Sequence, residues 1–244
     1  MNRKMMTRTR MHRTMTKRQP KDKSVNFVRI IAGQWRSRRL AIPGPVTTRP
    51  MNDRIKEAVF SVLGSYYGLP GSLPAMAVAD VFAGSGSLGL EAISRGAGRC
   101  KFFESDAEAV TVLRANLRAL NTGPELSVVV MDAWHASLDP PVSGSAYHLI
   151  FLDPPYDDTR DVSPSGLMHG LFERCIREQL WAADAVVVIH HQAAVTYPES
   201  FASGTHVIER RRYGSTAVTF FGVNASATEP AGDGTRGDGV DPEP

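Results

Sequence analysis

Asp153-Pro154-Pro155-Tyr156 follow directly on the apolar run His148 to Leu152, which reads as a buried strand. The carboxylate and the neighbouring backbone carbonyls can accept hydrogen bonds from an amino group. The prolines lack an N–H and have a fixed φ, so they hold the turn rigid. The tyrosine offers a face on which an unpaired base can stack. Together these residues suit an enzyme that grips a nucleobase by its exocyclic amine. Alone they are also compatible with a Pro-Pro turn that happens to carry an acid, and a second constellation upstream decides between the two.

That constellation is Asp80-Val81-Phe82-Ala83-Gly84-Ser85-Gly86-Ser87-Leu88-Gly89, between a strand and a helix. Gly84, Gly86 and Gly89 form GxGxxG, which permits tight turns and close ligand approach to a helix N-terminus. The spacing fits a nicotinamide dinucleotide as well. Asp80 ahead of the loop favours S-adenosylmethionine, because a carboxylate there can meet the cationic amino group of its methionine part. Glu104, at the end of the second strand, is placed for both ribose hydroxyls. Asp132, after the third, is placed for the adenine amine. The cofactor site is therefore expected to draw on Asp80, Phe82, Ala83, Gly84, Ser85, Gly86, Glu104, Ser105, Asp132, Ala133 and Asp153. Any one acid could be a helix cap or a surface charge. Four at successive strand ends follow the rule that ligands bind at the carboxyl ends of parallel strands.

The elements that must carry these residues alternate along the chain. Val28–Ile31 and Arg39–Ile42 read as a β-hairpin with a basic tip and an exposed-looking Trp35. Pro43, Pro45 and Pro50 form a stiff connector. A helix starts near Asp53, capped by Asn52 or Asp53, with Ile55, Ala58, Val59, Val62 and Leu63 at helical spacing and Gly64 as its stop. Strands follow at Ala77–Phe82, Cys100–Glu104, Leu126–Met131, His148–Leu152 and Ala185–Ile189. Between them lie helices at Leu88–Ser94, Ala107–Leu120 and one marked by Leu167, Leu171, Ile176 and Leu180. Two last strands, Thr205–Arg211 and Thr216–Gly222, meet at Tyr213-Gly214 as an antiparallel hairpin. Alternating βα units imply a mostly parallel sheet with helices on both faces. The expected fold is α/β: a Rossmann-like, seven-stranded class I methyltransferase sheet with a terminal antiparallel hairpin and a small N-terminal hairpin and helix.

Composition narrows the class. Hydrophobic residues make up 42%, as in ordinary globular domains, and no apolar run is long enough to cross a bilayer. The two cysteines, Cys100 and Cys175, are far apart and form no CxxC, so neither a zinc site nor a disulfide framework is expected. His190 and His191 are adjacent and would point to opposite faces of a strand, which is poor geometry for one metal. Residues 1–39 hold 13 Lys/Arg against Asp22 alone, a local charge of +12 in a chain of net +3. A basic arm on an acidic body suits a polyanion such as RNA. Residues 1–24 read as a disordered basic extension; a solvated tail without a partner or a transit peptide fits the same composition, and five methionines by position 15 leave the start codon open. Residues 25–64 read as an RNA-contacting hairpin and helix, 65–223 as the methyltransferase domain and 224–244 as a disordered acidic tail.

With these residues assembled, the chain resembles the RsmD family of bacterial 16S rRNA guanine-N2 methyltransferases over about residues 28–222. The resemblance rests on four stretches: Arg29-Ile30-Ile31-Ala32-Gly33-Gln34-Trp35-Arg36; Thr48-Arg49-Pro50 with Asp53-Arg54 and Lys56-Glu57-Ala58; Asp80–Glu91; and Leu152–Tyr156. The first two are the more family-specific. The resemblance implies methyl transfer from S-adenosylmethionine to the N2 amine of one guanine in small-subunit rRNA, on an assembled or partly assembled 30S particle. A cytoplasmic monomer that needs no metal is expected. Asp153 and the carbonyl of Pro154 would hold the amine and Tyr156 would stack on the guanine. Arg29, Trp35, Arg36, Arg38, Arg39, Arg49 and Arg54 are the expected RNA grip, with Trp35 equally readable as a hydrophobic plug. One departure stands out. Where the family's fifth strand ends in an acidic stretch, this chain has Ile189-His190-His191-Gln192. Rival readings are a DNA adenine-N6 or cytosine-N4 methyltransferase, a protein-glutamine methyltransferase, an RNA-binding ribosome-assembly factor without catalysis and, more distantly, a nicotinamide dehydrogenase.

Overall fold

The computed structural model describes residues 27–44, 51–142 and 145–224. The expected tail at 1–24, the expected tail at 224–244 beyond Asn224, Arg49, and the connector residues Pro45 and Pro50 lie outside them. Strands β1 (Phe27–Arg29) and β2 (Arg39–Ala41) form the N-terminal hairpin, in the register Val28↔Leu40. It is shorter than its apolar residues suggest, because Ile31 and Ala32 turn their N–H groups to the Glu91 carboxylate at 2.7 and 3.0 Å. Helix α1 (Asp53–Tyr66) is capped by Asn52, whose side chain accepts from the Ile55 N–H at 3.0 Å. Gly64 does not end it. A Cβ there would lie 2.9 Å from the Leu69 carbonyl oxygen, so this glycine admits the returning chain, and the helix continues to Tyr66.

The larger sheet contains β3 (Ala77–Val81), β4 (Arg99–Glu104), β5 (Leu126–Val130), β6 (Tyr147–Leu152), β7 (Trp181–Gln192), β8 (Thr205–Tyr213) and β9 (Thr216–Val223). Their order is β5-β4-β3-β6-β7-β9-β8. The first five strands are parallel and β9 runs antiparallel to both neighbours. Helices α2 (Ser87–Ser94), α3 (Ala107–Leu120) and α4 (Leu167–Arg177) make the crossovers. The strand period divides the interior in two. Val78, Phe102, Phe151 and Val188 pack with α1, α2 and α3. Val81, Phe103, Ile150, Val187 and Ile189 pack with α4 and with Tyr197 and Phe201.

Three boundaries differ from the sequence reading. The segment Ala185–Ile189 is the middle of a 12-residue strand, because β9 pairs along it as far as Gln192↔Thr216. β7 therefore carries His190 and His191 past the last apolar residue. Phe82 is not in β3. Its φ of 64 is left-handed, and its backbone turns the chain sharply at the strand end. Leu180, expected in the last helix, lies beyond it: α4 stops at Arg177 and the Leu180 N–H returns to the Cys175 carbonyl.

Candidate active site

A cavity of about 480 Å³ opens at the carboxyl ends of β3, β4, β5 and β6. Among the described residues its wall includes Asp80, Glu104, Asp106, Asp132, Asp153 and Asp158, but no Lys, Arg or His. Such a wall repels a dinucleotide's pyrophosphate and suits a ligand that carries positive charge.

The glycines of the β3–α2 loop have separate tasks. Gly84 has φ +54, and a Cβ built on it would meet nothing within 4 Å, so it faces open cavity. Gly86, expected as a cofactor contact, does not line the cavity. It caps α2 with φ +78, and a Cβ would sit 2.4 Å from Leu113, so its small size lets α3 pack close. Gly89 lies against Phe102 and Cys100 and donates its N–H to Asp80 Oδ2 at 2.8 Å. Burial pushes the Asp80 carboxyl well above the usual carboxylate range, with added repulsion from Asp153 and Glu104 and opposition from the Gly89 hydrogen bond.

Glu104 accepts from the Gly84 N–H through Oε2 and from the Ser105 and Asp106 N–H groups through Oε1, each at 2.8 Å. A carboxylate has about four acceptor positions, so roughly one remains, not the pair that two ribose hydroxyls would need. Asp132 is exposed, beyond the end of β5. It accepts from the Trp134 N–H at 2.9 Å and bonds His135 Nδ1 at 2.8 Å. The His135 bond, then the Trp134 N–H, holds its carboxyl below the usual range. Ala133, also expected at the cofactor, is buried in the second core cluster, and its carbonyl is taken by Arg174 at 2.6 Å. The residue that does line the cavity there is Trp134, whose ring lies 4.4 Å from that of Phe82. An aromatic two places after a strand-end acid was the available signal for it. Phe82, Ala83, Ser85 and Ser105, named for the cofactor in the sequence, line the cavity together with Ser87 and Met51.

Asp153, buried Pro154 and Tyr156 also line the cavity, with Tyr156 opening a 3₁₀ turn (Tyr156–Thr159). Parallel pairing of Leu152 with Ile189 brings the next residues, Asp153 and His190, side by side. His190 is 2% exposed; its Nδ1 lies 2.8 Å from Asp153 Oδ1 and its Nε2 3.3 Å from the Tyr156 hydroxyl. Burial, then the Asp153 charge, pushes the Tyr156 hydroxyl up to about 12. His191 points to the other face, where it bonds Thr219 Oγ1 at 2.8 Å and meets the Tyr197 ring.

The expected RNA-facing residues, apart from Arg49, which lies outside the described residues, sit on the N-terminal hairpin and at the start of α1. Arg29, Arg39 and Arg54 line a second groove, and Met51 borders both that groove and the main cavity. Arg29 pairs with Asp53 at 2.6 Å, and the Arg39 guanidinium lies 4.2 Å from the Phe27 ring centroid. Arg38 instead donates to the Ala119 carbonyl at the end of α3, and Arg36 stands exposed on the hairpin tip. Trp35 is not an exposed tip residue. It packs partly buried against the core, because the hairpin tip docks on Ser94, whose Oγ accepts the Trp35 N–H at 3.0 Å.

The residues fit S-adenosylmethionine in charge and in space: carboxylates for its cationic groups, open room before Gly84, and aromatic rings of Phe82 and Trp134 for a flat base. This cavity, at the switch between β3 and β6 in the order above, defines a Rossmann-like class I methyltransferase fold. The family model described as Conserved hypothetical protein 95 matches residues 28–222. YlbH of Bacillus subtilis strain 168 is 31% identical over 195 residues, 80% of this chain and 98% of that protein. Ribosomal RNA small subunit methyltransferase D of Escherichia coli K12 is 32% identical over 174 residues, 70% of this chain and 77% of the relative. The solved structure of the yhhF protein of Escherichia coli matches with a TM-score of 0.63 at 28% identity, covering 82% of this chain and 99% of that one. The chain belongs to the RsmD family.

Proposed function

We propose that the protein transfers a methyl group from S-adenosylmethionine to the exocyclic N2 amine of a guanine in 16S rRNA, on or near the 30S particle, in the cytoplasm. The reading rests above all on one juxtaposition. The carboxylate-walled cavity that ends at Asp153-Pro154 adjoins a groove lined by Arg29, Arg39 and Arg54, with Met51 common to both.

The donor supplies a methyl group already activated on a sulfonium. Asp80, Glu104 and Asp132 would hold it by charge and hydrogen bonds, with Phe82 and Trp134 beside its base. The guanine N2 lone pair is delocalised into the ring and is a poor nucleophile. Asp153 and the Pro154 carbonyl would accept the two N–H bonds of the amine and turn the lone pair toward the methyl carbon. Orientation of this kind contributes effective molarities of roughly 10⁵ or more. The Asp153 carboxylate also stabilises the positive charge that develops on nitrogen and accepts the departing proton. Tyr156 would stack on the base, and Arg29, Arg39 and Arg54 would meet phosphates. The basic residues ahead of the hairpin add to that attraction.

The test is methyl transfer from labelled S-adenosylmethionine with 30S particles, naked 16S rRNA and duplex DNA offered side by side, and the product nucleoside identified. N2-methylguanosine in either rRNA substrate is the expected product. Label in DNA as N6-methyladenine or N4-methylcytosine, or no transfer despite cofactor binding, would contradict the reading.

A further inference from the structure

We propose that His190 is a positioning residue that sets the shape of the amine clamp by holding Asp153 and Tyr156 through its two ring nitrogens. The inference rests on the proposed methyl transfer at Asp153. An ionised Asp153 can only accept, so Nδ1 carries the proton in the 2.8 Å contact. In the neutral imidazole Nε2 is then an acceptor, and the Tyr156 hydroxyl donates to it across 3.3 Å. The hydrogen bonds run one way, from Tyr156 to His190 to Asp153.

Three observations support a role beyond filling space. The imidazole is 2% exposed, and both of its nitrogens are spent on residues of the same four-residue motif. Its ring stands edge-on to Tyr156, at 79° with centroids 5.4 Å apart, so it fixes a ring plane as well as a hydroxyl. Asp153 Oδ1 is occupied by His190, while Oδ2 has no hydrogen bond among the described residues and remains for the substrate amine. The carboxylate of a freely rotating Asp153 would sample orientations in which neither oxygen faces the amine. His190 selects one. It can do so because β7 runs on with β9 to Gln192, and because the strand alternation sends His191 to the opposite face.

The experiment compares the full-length wild type with His190→Ala, His190→Asn, Asp153→Ala and the double variant His190→Ala/Asp153→Ala. Single-turnover transfer and S-adenosylmethionine affinity by titration calorimetry are both measured. His190→Ala should lower the transfer rate by about 10- to 100-fold, with cofactor affinity within about twofold. His190→Asn, whose amide nitrogen reaches the Nδ1 position, should recover most of the rate. The double variant should be at most a few-fold slower than Asp153→Ala, since His190 acts chiefly through that carboxylate and only secondarily through Tyr156. A rate for His190→Ala within about twofold of wild type, equal losses in the Asn and Ala variants, or losses that multiply in the double variant would overturn the proposal. If the wild type methylates no rRNA, the proposed function fails and the ¹⁵N spectrum of histidine-labelled protein decides this inference. The Nδ1–H tautomer at His190, lost in Asp153→Ala, supports it; the Nε2–H tautomer contradicts it.

Discussion

At the scale of single residues, the site is a set of acids in unlike surroundings. Asp132 is solvated and held ionised by its hydrogen bonds, whereas Asp80 is buried and its carboxyl is pushed well up. A cationic ligand favours the ionised form of Asp80. Binding therefore lowers its pKa and releases a proton, and affinity rises with pH while the free protein's Asp80 titrates. Calorimetric titration of S-adenosylmethionine across pH should show affinity climbing by at most about tenfold per pH unit, and Asp80→Asn should bind more weakly and flatten the slope. An unchanged slope in Asp80→Asn would place the titrating group elsewhere.

At the scale of elements, a buried charge cluster locks the N-terminal hairpin to the helices beneath the cofactor loop. Lys56 of α1 is fully buried and donates to the Arg29 carbonyl at 2.6 Å and to Ser87 Oγ, at the start of α2, at 2.9 Å. Glu91 of α2 takes the Ile31 and Ala32 N–H groups, pairs with Arg95 at 2.8 Å and lies 3.6 Å from Lys56 Nζ. Burial lowers the Lys56 pKa and Glu91 opposes that shift. Glu91→Ala leaves a buried ammonium and two backbone donors uncompensated and should cost about 3–5 kcal/mol in urea unfolding; a loss below about 1 kcal/mol would show that the cluster does not fasten these elements. Most elements were legible in the sequence because their periods are strong, as in α3, which runs from Ala107 to Leu120 as read. What was not legible depended on partners distant in sequence. Gly64 looks like a helix stop until the chain at Leu69 is seen against it. Trp35 looks exposed until Ser94 is placed beneath it. The acids and Tyr156 were readable by type and spacing, but His190 was visible only as a departure, because its role arises from the register of β6 on β7.

At the scale of the whole molecule, charge is divided by location. The cavity at the strand ends is walled by carboxylates, and the adjoining groove by Arg29, Arg39 and Arg54. The division would draw a cationic cofactor to one cavity and a polyanion to its edge. Replacing these three arginines together by glutamine should weaken rRNA binding at low salt and reduce the slope of log affinity against log salt by about 2, while S-adenosylmethionine affinity stays unchanged. An unchanged slope would mean that the RNA is held on another face.

The claim that joins these scales is that Asp153 orients the amine under attack. It is tested most directly by single-turnover methyl transfer to 16S rRNA with Asp153→Ala at saturating S-adenosylmethionine, with cofactor affinity measured on the same preparation. The expected result is a rate at least about 10³-fold below wild type with the cofactor still bound. Near-normal turnover by a variant that binds the cofactor normally would contradict it.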